Sequence, residues 1–183
     1  MKKETTVHYV LRLTLTLFLI TAVVACCLAA VNGVTKPRIA EAKAQKAQQA
    51  IEAVLPGGGE EVKGFQDTTG TVSRVYGSDT GYAVEVSPSG FGGPISMMVG
   101  VSGEGKVLGI SIVSQTETAG LGAVCAAKTG AGEAFRGQYA GASGTLAVTK
   151  DGGSIDAITG ATITSRAVTA GVNAALACAA SMD

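Results

Sequence analysis

The chain has 183 residues, with 14 basic and 14 acidic side chains and no formal net charge. This length accommodates one modest domain and an additional segment. Because its charges balance, the chain lacks the surplus of basic residues that is typical of nucleic-acid-binding proteins. The only histidine, His8, precedes the apolar segment described next, so no metal site built on imidazole groups is predicted.

An uncharged apolar run covers residues 13–34 and is long enough to cross a bilayer as one helix. A cleaved signal peptide is one alternative, and a lipoprotein signal is another because residues 23–26 resemble a lipobox. The apolar run continues past Cys26 without a small-residue cleavage pattern, which favours an uncleaved single-pass anchor behind a cytoplasmic segment of residues 1–12. Basic residues flank both ends of the run, so charge does not decide its orientation.

Residues 35–59 are expected to form a helical stalk. Their Ala, Glu, Lys and Gln content favours helix, and Pro37 is suited to a first helical turn. The Pro-Gly-Gly-Gly sequence at residues 56–59 is expected to end this helix.

Residues 60–183 form the predicted domain, in which alternating apolar residues indicate strands joined by tight turns. The four predicted strands cover residues 71–77, 82–87, 95–102 and 106–115. They form two hairpins, residues 146–150 are a candidate fifth strand, and a helix is expected from about Ser165 to the end. This order predicts an α+β domain with a mainly antiparallel sheet flanked by helices.

The domain offers little for acid–base or nucleophilic catalysis. It has no histidine, and its carboxylates are not paired at a recognisable spacing, so no catalytic residue is predicted and any chemistry would come from a cofactor. Cys125 and Cys178 lack metal-site spacing, and whether they form a disulfide is left open.

Three threonines and a serine surround a Gly-Ala pair in DAITGATITS, residues 156–165. One interpretation is that Thr162, Thr164 or Ser165 caps the final helix by accepting a hydrogen bond from a free N–H group. The other is that the same N–H groups and the helix dipole hold a phosphate, esterified to a threonine. The residues by themselves leave both interpretations open.

A second unusual stretch is SQTETAGLGA, residues 114–123. Glu117 and Thr118 follow an apolar strand, and Gly120 and Gly122 permit a close approach of the backbone to a ligand. The alternative is a simple turn with a capping threonine. The glycine spacing matches neither a Rossmann fingerprint nor a P-loop.

DAITGATITS resembles the flavinylation motif Asp-x-x-Ser/Thr-Gly-Ala-Thr of a family of FMN-binding domains. This family includes the RnfG subunits of Rnf electron transport complexes and the NqrC subunits of sodium-pumping NADH:quinone reductases. Residues 90–123 are similar to the family's Gly-aromatic-Gly-Gly stretch, strand hairpin and Glu-Thr-Pro-Gly-Leu-Gly loop. The resemblance covers about residues 81–183, and the short chain with one N-terminal span is closer to the Rnf branch.

The resemblance implies that Thr162 is joined to FMN through a phosphoester bond. The rest of the motif comprises Asp156, Thr159, Gly160 and Ala161. The resemblance implies that the flavin transferase recognises these residues, and that Thr159, Gly160 and Ala161 also bind the cofactor. The loop expected to lie against the flavin contributes Glu117, Thr118, Leu121 and Gly122. Ala119 replaces the family's usual proline, which reduces loop rigidity but removes no ligand group.

The implied function is that of a membrane-anchored flavoprotein subunit, which relays electrons through covalent FMN in an Rnf-type complex. Such a complex couples electron transfer between ferredoxin and NAD to ion translocation, and the expected partners are its other membrane subunits and the flavin transferase. Flavin attachment in this family occurs outside the cytoplasm, so the domain is expected on the extracytoplasmic side of the cell membrane. The alternatives are a quinone-reductase component, a free-standing extracellular electron carrier and a flavin-free assembly protein.

Overall fold

The computed structural model describes residues 6–65, 67, 69–128 and 130–182. Contacts divide the chain into two units, the first ending at Gln45 and the second beginning at Lys46. Helix α1, Thr6–Val54, contains the whole apolar run, and this stretch is long and apolar enough to cross a membrane. Its large apolar side chains, such as Phe18, are exposed, as expected for a surface that lipid covers.

Hydroxyl groups inside the apolar run are satisfied within the helix. Thr14 and Thr16 each donate to the carbonyl four residues earlier, at 2.9 and 2.8 Å, and Thr21 donates in the same way. A polar group inside a bilayer must find its partner in its own segment or in a neighbouring one. These hydrogen bonds therefore make the run compatible with a position inside a membrane.

The prediction that a helix starts at Pro37 is wrong, because α1 continues through this residue. A proline in a helix interior crowds the carbonyl of the residue four positions earlier. That residue is Gly33, which has open space around its Cα, so the backbone can adjust there.

The second unit contains a five-stranded antiparallel sheet in the order β1-β2-β3-β4-β5. The strands are β1 Glu60–Glu61, β2 Val72–Ser78, β3 Gly81–Val86, β4 Ser96–Ser102 and β5 Val107–Ser114. Two helices follow, α2 Ala131–Gly137 and α3 Thr162–Ala180, with 3-10 turns at Gly122–Ala126 and Thr149–Asp151. The predicted α+β class and the two hairpins, β2-β3 and β4-β5, are confirmed.

The predicted fifth strand at residues 146–150 is wrong. Val148 makes only an isolated bridge to Ile155, and Thr149–Asp151 forms a 3-10 turn. Gly152 then adopts a left-handed conformation with φ 83°, which turns the chain before a strand can extend. The fifth strand is instead β1, an edge strand that pairs with β2.

Both faces of the sheet are covered. Successive side chains of β4 point to opposite faces, and each set packs against a different helix. Met97, Val99 and Val101 belong to the core that α3 closes with Val168, Val172 and Ala175. Met98 points to the opposite face and packs with Ile51 and Val54 of the last turn of α1 and with Leu55, which directly follows the helix. At Gly100, a Cβ atom would collide with the Val54 carbonyl, so glycine permits this close approach of helix and sheet.

Cys125 and Cys178 are both free and buried, so they do not form the disulfide that the sequence left open. Burial raises the pKa of the Cys125 thiol to about 11, and the nearby Glu117 carboxylate adds to this rise. Burial also raises the pKa of Cys178.

Cys125 is expected to resist alkylation by iodoacetamide at pH 8 while the chain is folded. With a pKa of about 11, roughly one thiol in a thousand is the reactive thiolate at that pH. Peptide mapping by mass spectrometry measures the modification, and the same chain unfolded in guanidinium chloride is the control in which Cys125 reacts. Rapid modification of Cys125 in the folded chain would contradict this expectation.

Candidate functional site

A pocket of about 370 Å³ lies at the N-terminal end of α3. It is the meeting point of the loop after β5, the 3-10 turn Thr149–Asp151 and the first turn of α3. Seven residues predicted from the sequence line it, namely Glu117, Thr118, Leu121, Gly122, Gly160, Ala161 and Thr162. Residues from two distant segments of the sequence are thus brought to one site.

Glu117 forms hydrogen bonds to two of the segments that surround this pocket. Its side chain is 8% exposed, and its Oε1 accepts a hydrogen bond from the Gly92 N–H group at 2.8 Å. Its Oε2 accepts a hydrogen bond from the Thr164 hydroxyl in the first turn of α3. One carboxylate therefore joins the glycine-rich loop before β4 to the start of the last helix.

The glycine at position 122 is required by this packing. A Cβ atom there would stand 2.5 Å from both Glu117 Oε2 and Thr164 Oγ1, which is closer than real Cβ contacts. Gly122 therefore allows the loop to pass beside the Glu117–Thr164 hydrogen bond, which accounts for one of the glycines singled out in the sequence.

Thr162 is the first residue of α3, and it is half-buried and lines the pocket. Its Oγ1 accepts a hydrogen bond from Lys150 Nζ at 3.1 Å. The first N–H groups of a helix have no partner within the helix and carry a partial positive charge. An anion bound beside Thr162 would therefore meet both a helix start and a lysine.

The hydroxyl groups of the DAITGATITS stretch do not cap the helix. Ala161 occupies the N-cap position and forms no side-chain cap hydrogen bond. Thr164 donates to Glu117 instead, whereas Ser165 donates to the Ala161 carbonyl at 3.0 Å and accepts from the Ile158 N–H group at 2.9 Å. The capping interpretation is wrong for all three candidates, and the predicted start near Ser165 falls one turn late.

Asp156 and Thr159 lie outside this pocket, in a neighbouring groove that Phe135 and Gln138 also line. The Asp156 N–H group donates to Gln138 Oε1 at 2.7 Å, and Gln138 Nε2 donates back to the Asp156 carbonyl at 3.2 Å. Asp156 and Thr159 are both exposed. The structure thus separates these two predicted residues from the other seven.

Four further residues line the pocket without having been predicted, namely Phe91, Lys150, Ile163 and Thr164. Phe91 belongs to the Gly-aromatic-Gly-Gly stretch, which was recognised without a role for its side chain. Lys150 stands in a segment interpreted as a strand, and no spacing rule connects it to Thr162. The fold brings these residues to the pocket, and the local sequence does not indicate that they meet there.

Comparison with known proteins identifies the family of this chain. The family described as RnfG N-terminal region matches residues 1–54, and the family described as FMN-binding domain matches residues 90–177. The G subunit of the Na(+)-translocating ferredoxin:NAD(+) oxidoreductase complex of Acetobacterium woodii is 35% identical, over 90% of this chain and 88% of the relative. The chain belongs to the RnfG family.

Two other members of the RnfG family are similar over most of their length. The G subunit of an ion-translocating oxidoreductase complex from Pseudomonas aeruginosa is 34% identical over 81% of this chain and 78% of the relative. The protein of the same name from Methanosarcina acetivorans is 31% identical over 88% and 89%, respectively. The predicted family is therefore confirmed, and with it the presence of an FMN-binding domain.

The FMN-binding region of this RnfG chain, residues 90–177, contains every residue that lines the pocket. The lining fits such a cofactor, since Lys150 and the start of α3 suit a phosphate group. Phe91, Leu121 and Ile163 are 69%, 44% and 52% exposed and offer apolar surface for a ring system. The volume also falls within the range of about 300–1,000 Å³ that is usual for ligand sites.

Proposed function

We propose that this chain is the FMN-carrying subunit of an Rnf-type complex, and that the flavin is attached covalently to Thr162. The observation that carries the proposal is the position of the Thr162 hydroxyl, in a pocket at the start of α3 and within hydrogen-bonding distance of Lys150. A hydroxyl group, a cation and free helix N–H groups are together suited to a phosphoester.

Attachment requires a group transfer in which no atom changes its oxidation state. Thr162 Oγ1 forms a bond to the flavin phosphorus, and the bond between that phosphorus and its leaving group breaks, the electron pair departing with the leaving group. The hydroxyl proton passes to a base of the flavin transferase or to water, and an activated flavin nucleotide is the co-substrate. The product has the mass of the chain plus one FMN less one water.

The remaining site residues have two different roles in this proposal. Those lining the pocket hold the flavin, namely Glu117, Thr118, Leu121, Gly122, Gly160 and Ala161. Asp156 and Thr159, which are exposed in the neighbouring groove, are contacted by the flavin transferase during attachment. Linkage through the phosphate leaves the isoalloxazine ring free to accept and pass on electrons.

The proposed reaction of the whole complex is electron transfer between ferredoxin and NAD, coupled to ion translocation. The support is that one relative matched over most of its length is named as the G subunit of a Na(+)-translocating ferredoxin:NAD(+) oxidoreductase complex. A second is named as the G subunit of an ion-translocating oxidoreductase complex. Helix α1 is proposed to anchor the chain among the integral subunits of the complex. The same relatives favour this assignment over a quinone reductase or a free-standing carrier.

Intact mass spectrometry tests the proposal on the full chain produced together with a flavin transferase. The expected result is one added FMN less one water, with a yellow chain in detergent. A chain of unmodified mass that binds no flavin would instead support the flavin-free assembly protein.

The domain beyond α1 is expected to lie on the extracytoplasmic side of the membrane. The reason is its proposed flavin attachment, because the flanking charges do not decide the orientation. Trypsin added to intact cells, after removal of any wall, is expected to cleave at exposed sites such as Lys63 and Lys128. A cytoplasmic protein that stays intact is the control, and cleavage only after lysis would show the opposite orientation.

A further inference from the structure

Lys150 is a cation at the pocket to which the sequence assigned no role. It lies in the 3-10 turn Thr149–Asp151, its side chain is exposed, and its Nζ donates to Thr162 Oγ1 at 3.1 Å. An ammonium group has three donors, and this one engages a neutral hydroxyl. The group is therefore available to a second, negatively charged acceptor in the same pocket.

The neighbouring carboxylates are engaged elsewhere. Asp151 accepts a hydrogen bond from Arg166 Nε at 2.6 Å and another from its Nη2, so it pairs with Arg166 rather than with Lys150. Glu117 is occupied by the Gly92 N–H group and the Thr164 hydroxyl. Across the residues that the structure describes, the ion pairs are Arg74–Glu85, Lys106–Glu104 and Arg166–Asp151.

The Asp151–Arg166 pair also explains how the lysine is held in place. Thr162 and Arg166 are four residues apart and therefore lie on the same face of α3. Asp151 contacts Arg166 and Lys150 contacts Thr162, so two consecutive residues of the 3-10 turn meet two consecutive turns of the helix. This parallel contact directs the ammonium group of Lys150 to the hydroxyl of Thr162.

From this geometry we infer that Lys150 is a phosphate-binding residue of the site. It orients the Thr162 hydroxyl in the unmodified chain and, once the ester has formed, pairs with the negative charge of the phosphodiester. The pairing of Lys150 with the phosphodiester rests on the proposed function. The binding of a phosphate by Lys150 beside Thr162 is independent of covalent attachment.

Two measurements on the full chain in detergent test this role, with Lys150→Gln as the principal variant. Inorganic phosphate is titrated against the unmodified chain at low ionic strength, and the rate of flavin attachment is measured with the flavin transferase. Lys128→Gln is the matched control, because Lys128 is also exposed but does not line the pocket. Lys150→Arg retains the positive charge and serves as the conservative variant.

Lys150→Gln is expected to weaken phosphate binding about three- to fivefold, as for loss of an exposed ion pair. It is also expected to slow flavin attachment about tenfold or more, because a donor to the reacting phosphate is lost. Lys150→Arg is expected to keep most of the phosphate affinity, and Lys128→Gln to behave as the unaltered chain.

Unchanged phosphate affinity and attachment rate in Lys150→Gln would overturn the inference, as would an equal loss in Lys128→Gln. If the unaltered chain takes up no flavin, the proposed function fails. In that case, phosphate binding that is weakened by Lys150→Gln but not by Lys128→Gln still supports the role of Lys150.

Discussion

Thr162→Val is expected to abolish covalent FMN while leaving the fold intact. Valine has a similar shape but no oxygen that can be joined to phosphorus. Thr162 forms no cap for α3, and its hydroxyl accepts its hydrogen bond from the exposed Lys150, so the free energy of unfolding should fall by about 0.5 kcal/mol or less. Intact mass measures attachment, and thermal unfolding measures stability.

Two further variants sharpen this test. Thr162→Ser keeps a hydroxyl and is expected to retain at least partial flavin loading. Thr145→Val alters an exposed threonine outside the pocket and is expected to load fully. Covalent FMN on Thr162→Val would place the attachment elsewhere, with Thr159 and Thr164 as the next candidates.

Glu117→Ala is expected to have the largest effect on the structure of the site. It removes the acceptor of the Gly92 N–H group and of the buried Thr164 hydroxyl. Leaving a buried donor such as the Thr164 hydroxyl without a partner costs about 1–3 kcal/mol, so the free energy of unfolding should fall by about that amount. Flavin loading should fall with it, because the loop and the start of α3 are no longer joined.

Denaturant unfolding and flavin content measure these effects side by side. Glu104→Ala is the matched control, since Glu104 is exposed and pairs with Lys106 at the surface, and it should change stability by about 0.5 kcal/mol or less. Glu117→Gln keeps one acceptor and is expected to be intermediate. If Glu117→Ala unfolds and loads flavin like the unaltered chain, the carboxylate does not organise the site.

Local patterns were sufficient to predict the two hairpins and the last helix. Strand alternation and turn residues are properties of short segments, and the structure follows them from Val72 to Ser114. The sequence-based predictions are wrong where a contact between distant residues determines the local structure. Residues 146–150 have the composition of a strand, yet Gly152 turns the chain and the Asp151–Arg166 pair ties this segment to α3 instead.

At the site, too, the residues in local motifs were predicted, whereas contacts between distant residues were not. Thr162 and the loop around Glu117 stand in recognisable motifs, so they were found by resemblance, and the structure brings them to one pocket. From the local pattern, Thr164 is one of three candidate caps, because hydroxyls commonly cap helices. Its actual partner is Glu117, 47 residues earlier, and no local rule predicts a hydrogen bond over that distance.

The packing of α1 on the sheet determines where a soluble fragment of this protein can begin. Ile51, Val54 and Leu55 are almost fully buried against Ala83 and Met98. Burying each such aliphatic side chain contributes about 1.5–3 kcal/mol, and the three together are comparable to the 5–15 kcal/mol that holds a typical domain folded. A fragment starting at Lys46 retains this layer, whereas one trimmed to the first strand would expose an apolar sheet face and aggregate.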